Sequence, residues 1–360
     1  MKRVIATALF VAAIAFAGQA VMATTFAVGT CRPTLKSFTT ISAAVSSVPP
    51  GSIVEVCPGT YPEQVTISTP LTLIGGTNGN ADRATIVVPP NGMIQNGGDE
   101  TAPTVGAQIV VQNTGPVNIK GITVDGTGAA NPNAPFGNLI GIYYEGSFGT
   151  VDGVTVRNEL FFTSGEGIWA ENANGSTLSV TISGSNVYNV DDIGIFAGGA
   201  ALQAKVEFNE VDAGQYGISS GSTGNVVANN VVTGGVVTLS GIEDFARTSI
   251  VANTVIGVGG AGPTGGGITL GLGADGNGAI ESNVIWSSGN AAIAFYGASG
   301  TIKGNRILAA GVGINFFCFL GTVRGNFIND VGTGIRLVPS SFNLFNNIRN
   351  ADTIRTGGCP

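Results

Sequence analysis

The sequence has no histidine and few charged residues. Histidine is absent from all 360 positions, which excludes Ser/His/Asp triads, Cys/His dyads and His-ligated zinc sites. Only 10% of the residues are charged, and 15 Lys and Arg face 22 Asp and Glu, so that the net charge is −7. A surface that binds the phosphates of a nucleic acid is therefore not expected. Because 43% of the residues are hydrophobic, intrinsic disorder is excluded as well.

The N-terminus has the three-part pattern of a secretory signal peptide. Lys2 and Arg3 precede the apolar run "VIATALFVAAIAFAG", and small residues follow around Ala20 and Ala23. Residues 1–23 are predicted to be removed by cleavage after Ala20 or Ala23, with an uncleaved membrane anchor as the alternative. The mature protein is therefore expected to be secreted or periplasmic and to have no membrane span.

Four cysteines lie in two pairs, one near each end of the chain: Cys31, Cys57, Cys318 and Cys359. Four cysteines allow three pairings. Because disulfides persist in an exported protein, we predict one bond between Cys31 and Cys57 and another between Cys318 and Cys359. Each bond would tie one end of the chain to its body.

A repeat with an asparagine at its centre occupies the C-terminal half. The asparagines are 21, 23, 30, 22 and 21 residues apart: Asn209, Asn230, Asn253, Asn283, Asn305 and Asn326. A Val or Ile lies three residues before each Asn and another lies two residues after it, as in "VEFNEV" and "IVANTVI". β-Branched residues at these fixed positions are typical of inward-facing strand positions. Buried asparagines in such a column are expected to hydrogen-bond to one another from repeat to repeat.

A third column of isoleucines follows each repeat after a small residue: Ile142, Ile168, Ile195, Ile218, Ile242, Ile268, Ile293, Ile314 and Ile335. Each repeat thus supplies three short strands, and no helical periodicity separates them. Strands of three to five residues at this period do not form hairpins in register. We therefore predict an all-β solenoid in which each turn pairs with the next at about 4.8 Å.

The same frame extends upstream through "VNIKGITVDG", "GTVDGVTVRN" and "LSVTISGSNVYNV", where the Asn is replaced. About eleven turns are predicted. Before them, "TTISAAVSSV" places Ile41, Ala44, Val45 and Val48 on one face behind a threonine and is predicted to form a short capping helix. The predicted organisation is a cap over 24–52, a β-helix over 53–349 and a disulfide-tied tail over 350–360.

Over nearly its whole mature length the chain resembles the pectin-lyase-like superfamily of right-handed parallel β-helices. The segment "FTTISAAVSSVPPGSIVEVCPGTYPEQVTISTPLTLIGG" is similar to the common start of its pectinesterase-like and copper-maturation members. The resemblance implies a single-stranded right-handed parallel β-helix. It does not imply one chemistry, because the superfamily contains enzymes as well as inert rods. The catalytic motifs of polygalacturonases, pectinesterases and pectate lyases are not matched.

In the enzymes of this superfamily the substrate lies along the outer face of the strand that carries the isoleucine column. Tyr143, Trp169 and Phe196 are predicted to form an exposed aromatic ladder there, suited to stacking on sugar rings. The alternative is that a neighbouring loop, such as "GTGAANPNAPFGN" or "NELFFTSGEG", covers these aromatic residues as part of a satellite core.

Acidic residues accompany the aromatic ladder. Glu145 and Glu171 are predicted to lie one turn apart, where they could act as an acid and nucleophile pair or share Ca²⁺. Asp191 and Asp192, and also Glu166, could join them. The alternative is that all of these are solvated surface carboxylates. A second group is formed by Glu243, Asp244 and Arg247, whereas the pairs Lys120–Asp152, Asp125–Arg157 and Glu281–Lys303 are predicted to be structural.

The sequence therefore predicts an exported β-helix that binds a polysaccharide or cell-envelope glycan along the isoleucine-column face, with processing of that glycan as a further possibility. If it is an enzyme, hydrolysis or Ca²⁺-assisted elimination is expected, as in a glycoside hydrolase or polysaccharide lyase. The alternative is a non-catalytic structural or adhesive rod. No cofactor other than Ca²⁺ is indicated, and a copper-maturation role is disfavoured because three Met and no His leave few ligands.

Overall fold

The strands of each turn of the chain pair in parallel with the strands of the next turn, so that the backbone coils around one apolar core. The computed structural model describes residues 23–76, 84–98, 102–129, 131, 134–173, 175–212, 214–235, 238–258, 265–271, 278–286, 288–296, 299–317, 320–337 and 342–356. The described strands form one sheet of 33 strands whose ladders are parallel, and the predicted all-β, right-handed parallel β-helix is confirmed as the fold class.

The coil has three faces, which we name A, B and C in the order in which the chain passes through them. Face A contains β1 (Thr25–Val28), β3 (Ser52–Val56), β6 (Leu71–Gly75), β9 (Val117–Lys120), β12 (Gly149–Asp152), β15 (Leu178–Ser183), β18 (Leu202–Glu207), β21 (Val226–Ala228), β24 (Ser249–Val251), β27 (Gly278–Glu281) and β30 (Ser299–Lys303).

Face B contains β4 (Gly59–Pro62), β7 (Ala84–Val87), β10 (Thr123–Asp125), β13 (Thr155–Arg157), β16 (Asn186–Tyr188), β19 (Glu210–Asp212), β22 (Val231–Thr233), β25 (Thr254–Ile256) and β28 (Val284–Trp286). Face C contains β5 (Val65–Ile67), β8 (Val105–Gln112), β11 (Asn138–Glu145), β14 (Gly165–Glu171), β17 (Ile193–Gly198), β20 (Tyr216–Gly221), β23 (Ser240–Asp244), β26 (Gly266–Leu270) and β29 (Ala291–Tyr296).

The remaining strands are β2 (Ser37–Phe38), which pairs with β1, and three long strands that run around corners: β31 (Arg306–Phe317), β32 (Leu320–Leu337) and β33 (Phe342–Thr356). From β3 to β32, eleven successive turns contribute to all three faces, which agrees with the predicted number. Strand β1 pairs with β3, so the segment predicted as a cap already carries a strand of face A. Strand β33 crosses the predicted boundary at residue 350.

The predicted inward columns lie in one continuous hydrophobic core. The isoleucines of face C and the β-branched residues on either side of each repeat asparagine are at most 1% exposed. A glycine commonly precedes the face C isoleucine, and its lack of a side chain is required there. A Cβ on Gly194 would lie 2.4 Å from Val211 Cγ1 and 2.7 Å from the carbonyl oxygen of Gly217.

The repeat asparagines form the predicted ladder at the corner between faces A and B. Asn209, Asn230, Asn253, Asn283 and Asn305 each donate from Nδ2 and from the backbone N–H to Oδ1 of the next asparagine, at 2.8–3.0 Å. Each Nδ2 also donates to a backbone carbonyl of the preceding turn, such as that of Val206 from Asn230 at 2.9 Å. Each side chain therefore joins three turns in a site that is at most 2% exposed.

The residue before each ladder position has left-handed backbone. Its φ lies between 55° and 65° in nine turns: Gly121, Gly153, Gly184, Phe208, Asn229, Ala252, Ser282, Gly304 and Gly325. The left-handed region costs a non-glycine residue about 1 kcal/mol or more. The nine corners therefore share one backbone geometry, with glycine at this position in five turns and a strained non-glycine residue in four.

The N-terminal segment packs against the first turns. Helix α1 (Ile41–Val45) begins after Thr40, whose side chain accepts a hydrogen bond from the backbone N–H of Ala43. Ile41, Ala44 and Val45 are buried in the core. The predicted disulfide between Cys31 and Cys57 is present. The predicted signal peptide up to residue 22 and the bond between Cys318 and Cys359 lie outside the described residues.

The predicted ion pairs are aligned on neighbouring turns. Arg157 Nε lies 2.9 Å from Asp125 Oδ2, and Lys120 Nζ lies 3.7 Å from Asp152 Oδ2. Glu281 is opposite Lys303 in the register of face A. These charges lie on faces A and B, away from the isoleucine-column face.

We expect Asn253→Ala to lower the free energy of unfolding by about 3 kcal/mol. The substitution removes the Asn253 side chain, which accepts two hydrogen bonds from Asn230 and donates one to the Val227 carbonyl. Each buried polar group left without a partner costs about 1–3 kcal/mol. Urea denaturation measures the effect. Asn186→Ala is the matched control because Asn186 is exposed, and a change within about 0.5 kcal/mol is expected there. Equal effects of the two substitutions would contradict the role of the ladder.

We expect Phe208→Gly to raise the free energy of unfolding by about 1 kcal/mol, because glycine adopts the φ of 59° without strain. The ring is 62% exposed, so little packing is lost. Phe208→Ala is the control, since it removes the same ring and keeps the strained backbone. A gain with alanine as large as that with glycine would show that the ring, not the backbone, is responsible.

Candidate active site

The outer surface of face C changes in character along the coil. One outward column runs in register from Tyr143 to Trp169 and Phe196, and then to smaller or acidic residues at Ser219, Glu243 and Thr269. The N-terminal part of the column is therefore bulky, and the part from β20 onwards leaves room above the backbone. A groove opens where the bulky residues end.

The aromatic residues are aligned as predicted, but two of them are not exposed. Tyr143 is 0% and Trp169 is 6% exposed, and only Phe196 is partly accessible. Trp169 and Phe196 stack with their ring centroids 4.1 Å apart. The prediction that Tyr143 and Trp169 form an open platform for sugars is therefore wrong. They belong to a small hydrophobic cluster on the outside of face C.

The alternative of a covering segment is confirmed, and among the described residues the cover over Tyr143 comes from the segment that leads into β8. Ala102 and Val105 pack in the same cluster as Tyr143. Gly97 bridges to Val105, and a Cβ on Gly97 would lie 3.1 Å from Cδ1 of Tyr143. The two loops considered in the sequence meet each other instead, through Phe136 and Phe161, whose ring centroids are 5.0 Å apart.

Glu145 and Glu171 are opposite each other on neighbouring strands, as predicted. Their carboxylates face protein groups. Glu171 is 2% exposed and accepts a hydrogen bond from Trp169 Nε1 at 2.9 Å. Glu145 Oε2 accepts one from Gln112 Nε2 at 3.0 Å. Glu171 therefore supports the buried aromatic cluster and has little access to a substrate.

A second set of acidic residues lies near the start of face C strands and at the groove. Glu166 is on β14, Asp191 and Asp192 directly precede β17, and Glu243 is on β23. Glu166 is buried and accepts a hydrogen bond from Asn138 Nδ2 at 2.8 Å, while Asp192 and Glu243 are half-buried. Asp191 accepts a hydrogen bond from the backbone N–H of Phe161, which fixes it against a loop. Asp191, Asp192 and Glu243 are thus partly accessible, and of these Asp191 is held by the Phe161 N–H.

The groove contains a pocket of about 220 Å³ around Glu243. It crosses the strands β20, β23, β26 and β29. The pocket is lined by Tyr216, Leu239, Ser240, Glu243, Gly265, Thr269, Gly271 and Tyr296. Ser240 donates a hydrogen bond to Thr269 Oγ1 at 2.8 Å on its floor. Its lining combines two tyrosines, small residues and one carboxyl group, as in many small-molecule sites.

Burial and mutual repulsion raise the pKa values of the accessible acids. Burial raises the pKa of Glu243 to about 7, and the charge of Asp192 adds to the shift. Burial together with the charge of Asp191 raises the pKa of Asp192 to about 6. Burial raises the pKa of Tyr216, and the charges of Glu243 and Asp192 raise it further. Near neutral pH Asp192 is therefore mostly ionised while Glu243 keeps much of its proton.

Two further acids have no access to the groove. Asp244 points into the coil, is 0% exposed and accepts hydrogen bonds from Thr248 Oγ1 at 2.6 Å and from two backbone N–H groups. Glu159 is 0% exposed, and neither of its carboxylate oxygens has a hydrogen-bond partner among the residues that the structure describes. Burial raises the pKa of Glu159 well above its ordinary value, and nearby Asp125 and Glu166 add to this.

The described residues contain no group of three or more side chains suited to holding a metal ion. Calcium at Glu145 and Glu171 stays a prediction that the structure does not test. Within the same residues there is no helix long and apolar enough to cross a membrane.

Sequence reasoning found part of this site. Asp191 and Asp192 were in the predicted set, and Glu243 was recognised only as part of a separate group with Asp244 and Arg247. Tyr216, Tyr296 and the pocket were missed. The change from large to small residues along the outward column is the signal in the sequence that marks the groove.

We expect the protein to be more stable near pH 5 than at pH 8. The folded-state pKa of Glu159 is raised, so the stability that its neutral form provides is present below about pH 4.5 and is lost as the pH rises through the folded-state pKa. Glu159→Gln should therefore raise the melting temperature at pH 8 and leave it nearly unchanged at pH 4. Glu207→Gln, on face A, is the control. A melting temperature of Glu159→Gln that stays parallel to that of the wild type at all pH values would contradict this assignment.

The protein is similar to known proteins in its three-dimensional structure. No protein-family profile matches the sequence, and no curated protein sequence is significantly similar to it. The catalytic unit of a thermostable GH87 α-1,3-glucanase from Streptomyces thermodiastaticus strain HF3-3 superposes with a TM-score of 0.55 and 14% identity, over 88% of this chain and 65% of the glucanase chain. The chain thus spans just under two thirds of that catalytic unit.

A mutant of the periplasmic alginate epimerase AlgG superposes with a TM-score of 0.50 and 13% identity, over 88% of this chain and 83% of the epimerase. One of these structures belongs to a glucanase and the other to an epimerase, so what the comparison shows is the shared architecture. With its parallel ladders and three-faced coil, the chain has the pectin-lyase-like parallel β-helix fold.

Proposed function

We propose that the protein is an exported glycoside hydrolase that binds a glycan along the groove of face C. The pocket around Glu243 carries this proposal, because it is a cleft with one carboxyl group of raised pKa, and the charge of a second acid of lower pKa, Asp192, acts on that group from outside the pocket. The export signal in the sequence and the disulfide between Cys31 and Cys57 fit a secreted or periplasmic location.

Glu243 is the proton donor in this proposal and Asp192 is the base. Glycoside hydrolysis needs one carboxyl group that keeps its proton and one that has lost it. The O–H of Glu243 gives its proton to the glycosidic oxygen as the C1–O bond breaks. Asp192 takes a proton from a water molecule whose oxygen bonds to C1. The reaction consumes one water, and returning the proton from Asp192 to Glu243 resets the pair.

The strand register supports attack by water. Asp192 precedes β17 and Glu243 is on β23, so one strand, β20 with Tyr216, lies between them. Two strand spacings amount to about 10 Å along the coil, and Asp192 also precedes Phe196, the register partner of Glu243, by four residues, so the two backbones are too far apart to favour direct attack. Carboxyl groups about 6.5–9.5 Å apart leave room for a water molecule, whereas direct attack needs about 5 Å. We therefore propose that the configuration at C1 is inverted.

The tyrosines at the two ends of the pocket give the glycan its position. Tyr216 and Tyr296 are half-buried and lie on β20 and β29, on either side of Glu243 and Thr269. Their rings offer apolar surface and their hydroxyl groups offer hydrogen bonds, which suits the alternating apolar and polar surface of a sugar.

We expect turnover to follow a bell-shaped pH profile with its maximum between about pH 6 and 7. Activity should rise as Asp192 ionises near pH 6 and fall as Glu243 loses its proton near pH 7. Initial rates on a glycan panel, measured as reducing ends, test this. Because the two groups are coupled, the two apparent pKa values belong to the pair.

Glu243→Gln and Asp192→Asn should each lower kcat at least about 100-fold and leave the melting temperature close to that of the wild type. Glu171→Gln distinguishes the site at Glu243 and Asp192 from the pair Glu145 and Glu171 predicted from the sequence. The folded Glu171→Gln variant should retain turnover. Loss of turnover in Glu171→Gln with full activity in Glu243→Gln would move the site to Glu145 and Glu171. Glycan binding without products in any variant would favour the non-catalytic rod.

A further inference from the structure

The charge along face C restricts the chemical class of the glycan. Between β14 and β29 the charged residues on the strands of this face are all acidic: Glu166, Glu171, Glu243 and Asp244. Three of them, Glu166, Glu171 and Glu243, face outwards. Asp192 lies beside the same surface, and it raises the pKa of both Glu166 and Glu243 through its charge. The surface around the groove therefore carries acidic groups, and it becomes more negative as Asp192 and then Glu243 ionise.

The cations near face C lie outside the pocket. None of the eight residues that line the pocket is Lys or Arg. Arg336 is in register with Asn315, Ala294, Thr269 and Glu243, four strand spacings from Glu243, which is about 19 Å along the coil. Arg336 does influence Tyr296 at the C-terminal end of the groove. Arg247 is exposed on the corner that follows β23 and does not line the pocket.

A polyuronate carries a carboxylate on each sugar ring, so several of its charges would face Glu243 and Asp192 at once. Like charges brought together in a partly buried groove are unfavourable unless a cation separates them. The described residues offer no group of three or more ligands that would hold such a cation. A neutral sugar meets no such repulsion, and its apolar face can pack on Tyr216 and Tyr296.

We infer that the groove between Tyr216 and Tyr296 takes an uncharged glycan and discriminates against polyuronates. This inference rests on the proposed function, because it describes the substrate of the same site. The selection is set by the floor of small residues, Ser240, Gly271 and Thr269, and by the carboxyl group of Glu243. The described lining residues include no Lys or Arg that could pair with a carboxylate.

Pairs of polymers that differ only at C6 test the inference. Polygalacturonate is compared with the same polymer after its carboxyl groups have been reduced, and a neutral α-glucan with its C6-carboxylated form. Binding to the purified mature chain is measured by calorimetry at low ionic strength in EDTA, and products are measured in parallel. We expect the neutral member of each pair that binds to bind at least tenfold more tightly. Salt should narrow the difference, because it screens the repulsion.

Two variants identify the source of the discrimination. At pH 8, above the pKa of about 7 of Glu243, Glu243→Gln removes a negative charge from the pocket, and we expect it to narrow the affinity gap by strengthening the binding of the carboxylated polymer. Glu281→Gln removes the same charge from face A and should leave the gap unchanged. If Glu243→Gln and Glu281→Gln change the difference in affinity between neutral and carboxylated polymer equally, the discrimination does not arise in the groove and the assignment is overturned.

Binding of a carboxylated polymer as tight as that of its neutral partner would overturn the inference. So would binding of a polyuronate that requires Ca²⁺ and exceeds that of the neutral form. If a polyuronate is the only polymer cleaved and Glu243→Gln abolishes its cleavage, the proposed function stands and the inference falls. If no polymer binds, or if cleavage is unaffected by Glu243→Gln and Asp192→Asn, the proposed function falls and the inference falls with it.

Discussion

Parallel pairing in fixed register is the constraint on which the rest of this structure depends. Each turn hydrogen-bonds only to the turns before and after it, so a shift of one residue would turn every inward side chain outwards. The buried asparagines prevent such a shift, because their amide groups find partners only when the corners of successive turns coincide. The left-handed residue before each asparagine sets the direction of the corner. Together they hold the coil in one register while the loops vary in length.

The fixed register also determines where a groove can form. Side chains on face C stack in columns, so a change in residue size along one column changes the surface over a whole turn. The column holds the large aromatic residues Tyr143, Trp169 and Phe196 and then smaller or acidic residues, beginning with Ser219 and Glu243. Glu243 lies just beyond that step, where burial is deep enough to raise its pKa and the surface is open enough to admit a ligand. The site is therefore a property of one column and not of one loop.

Most of the fold followed from the sequence because a solenoid repeats its local pattern. Val206, Asn209 and Val211 recur with the same spacing, and every repetition strengthens the same inference. The candidate site does not repeat. Whether Tyr143 is open or covered depends on the segment around Gly97, which precedes β8 and folds back over face C with no periodic signal. The pKa of Asp192 likewise depends on burial and on its neighbour Asp191, and spacing alone does not reveal how deeply either is buried.

The asparagine ladder has a direction. Each asparagine donates from its side chain and backbone to the turn that follows it, so these donors of one turn are met by the next turn. The two ends of the ladder are therefore not equivalent. A turn added at the C-terminal end has to bring an asparagine oxygen to the corner, whereas a turn added at the N-terminal end has to bring donors, as the backbone N–H of Ser185 does for Asn209.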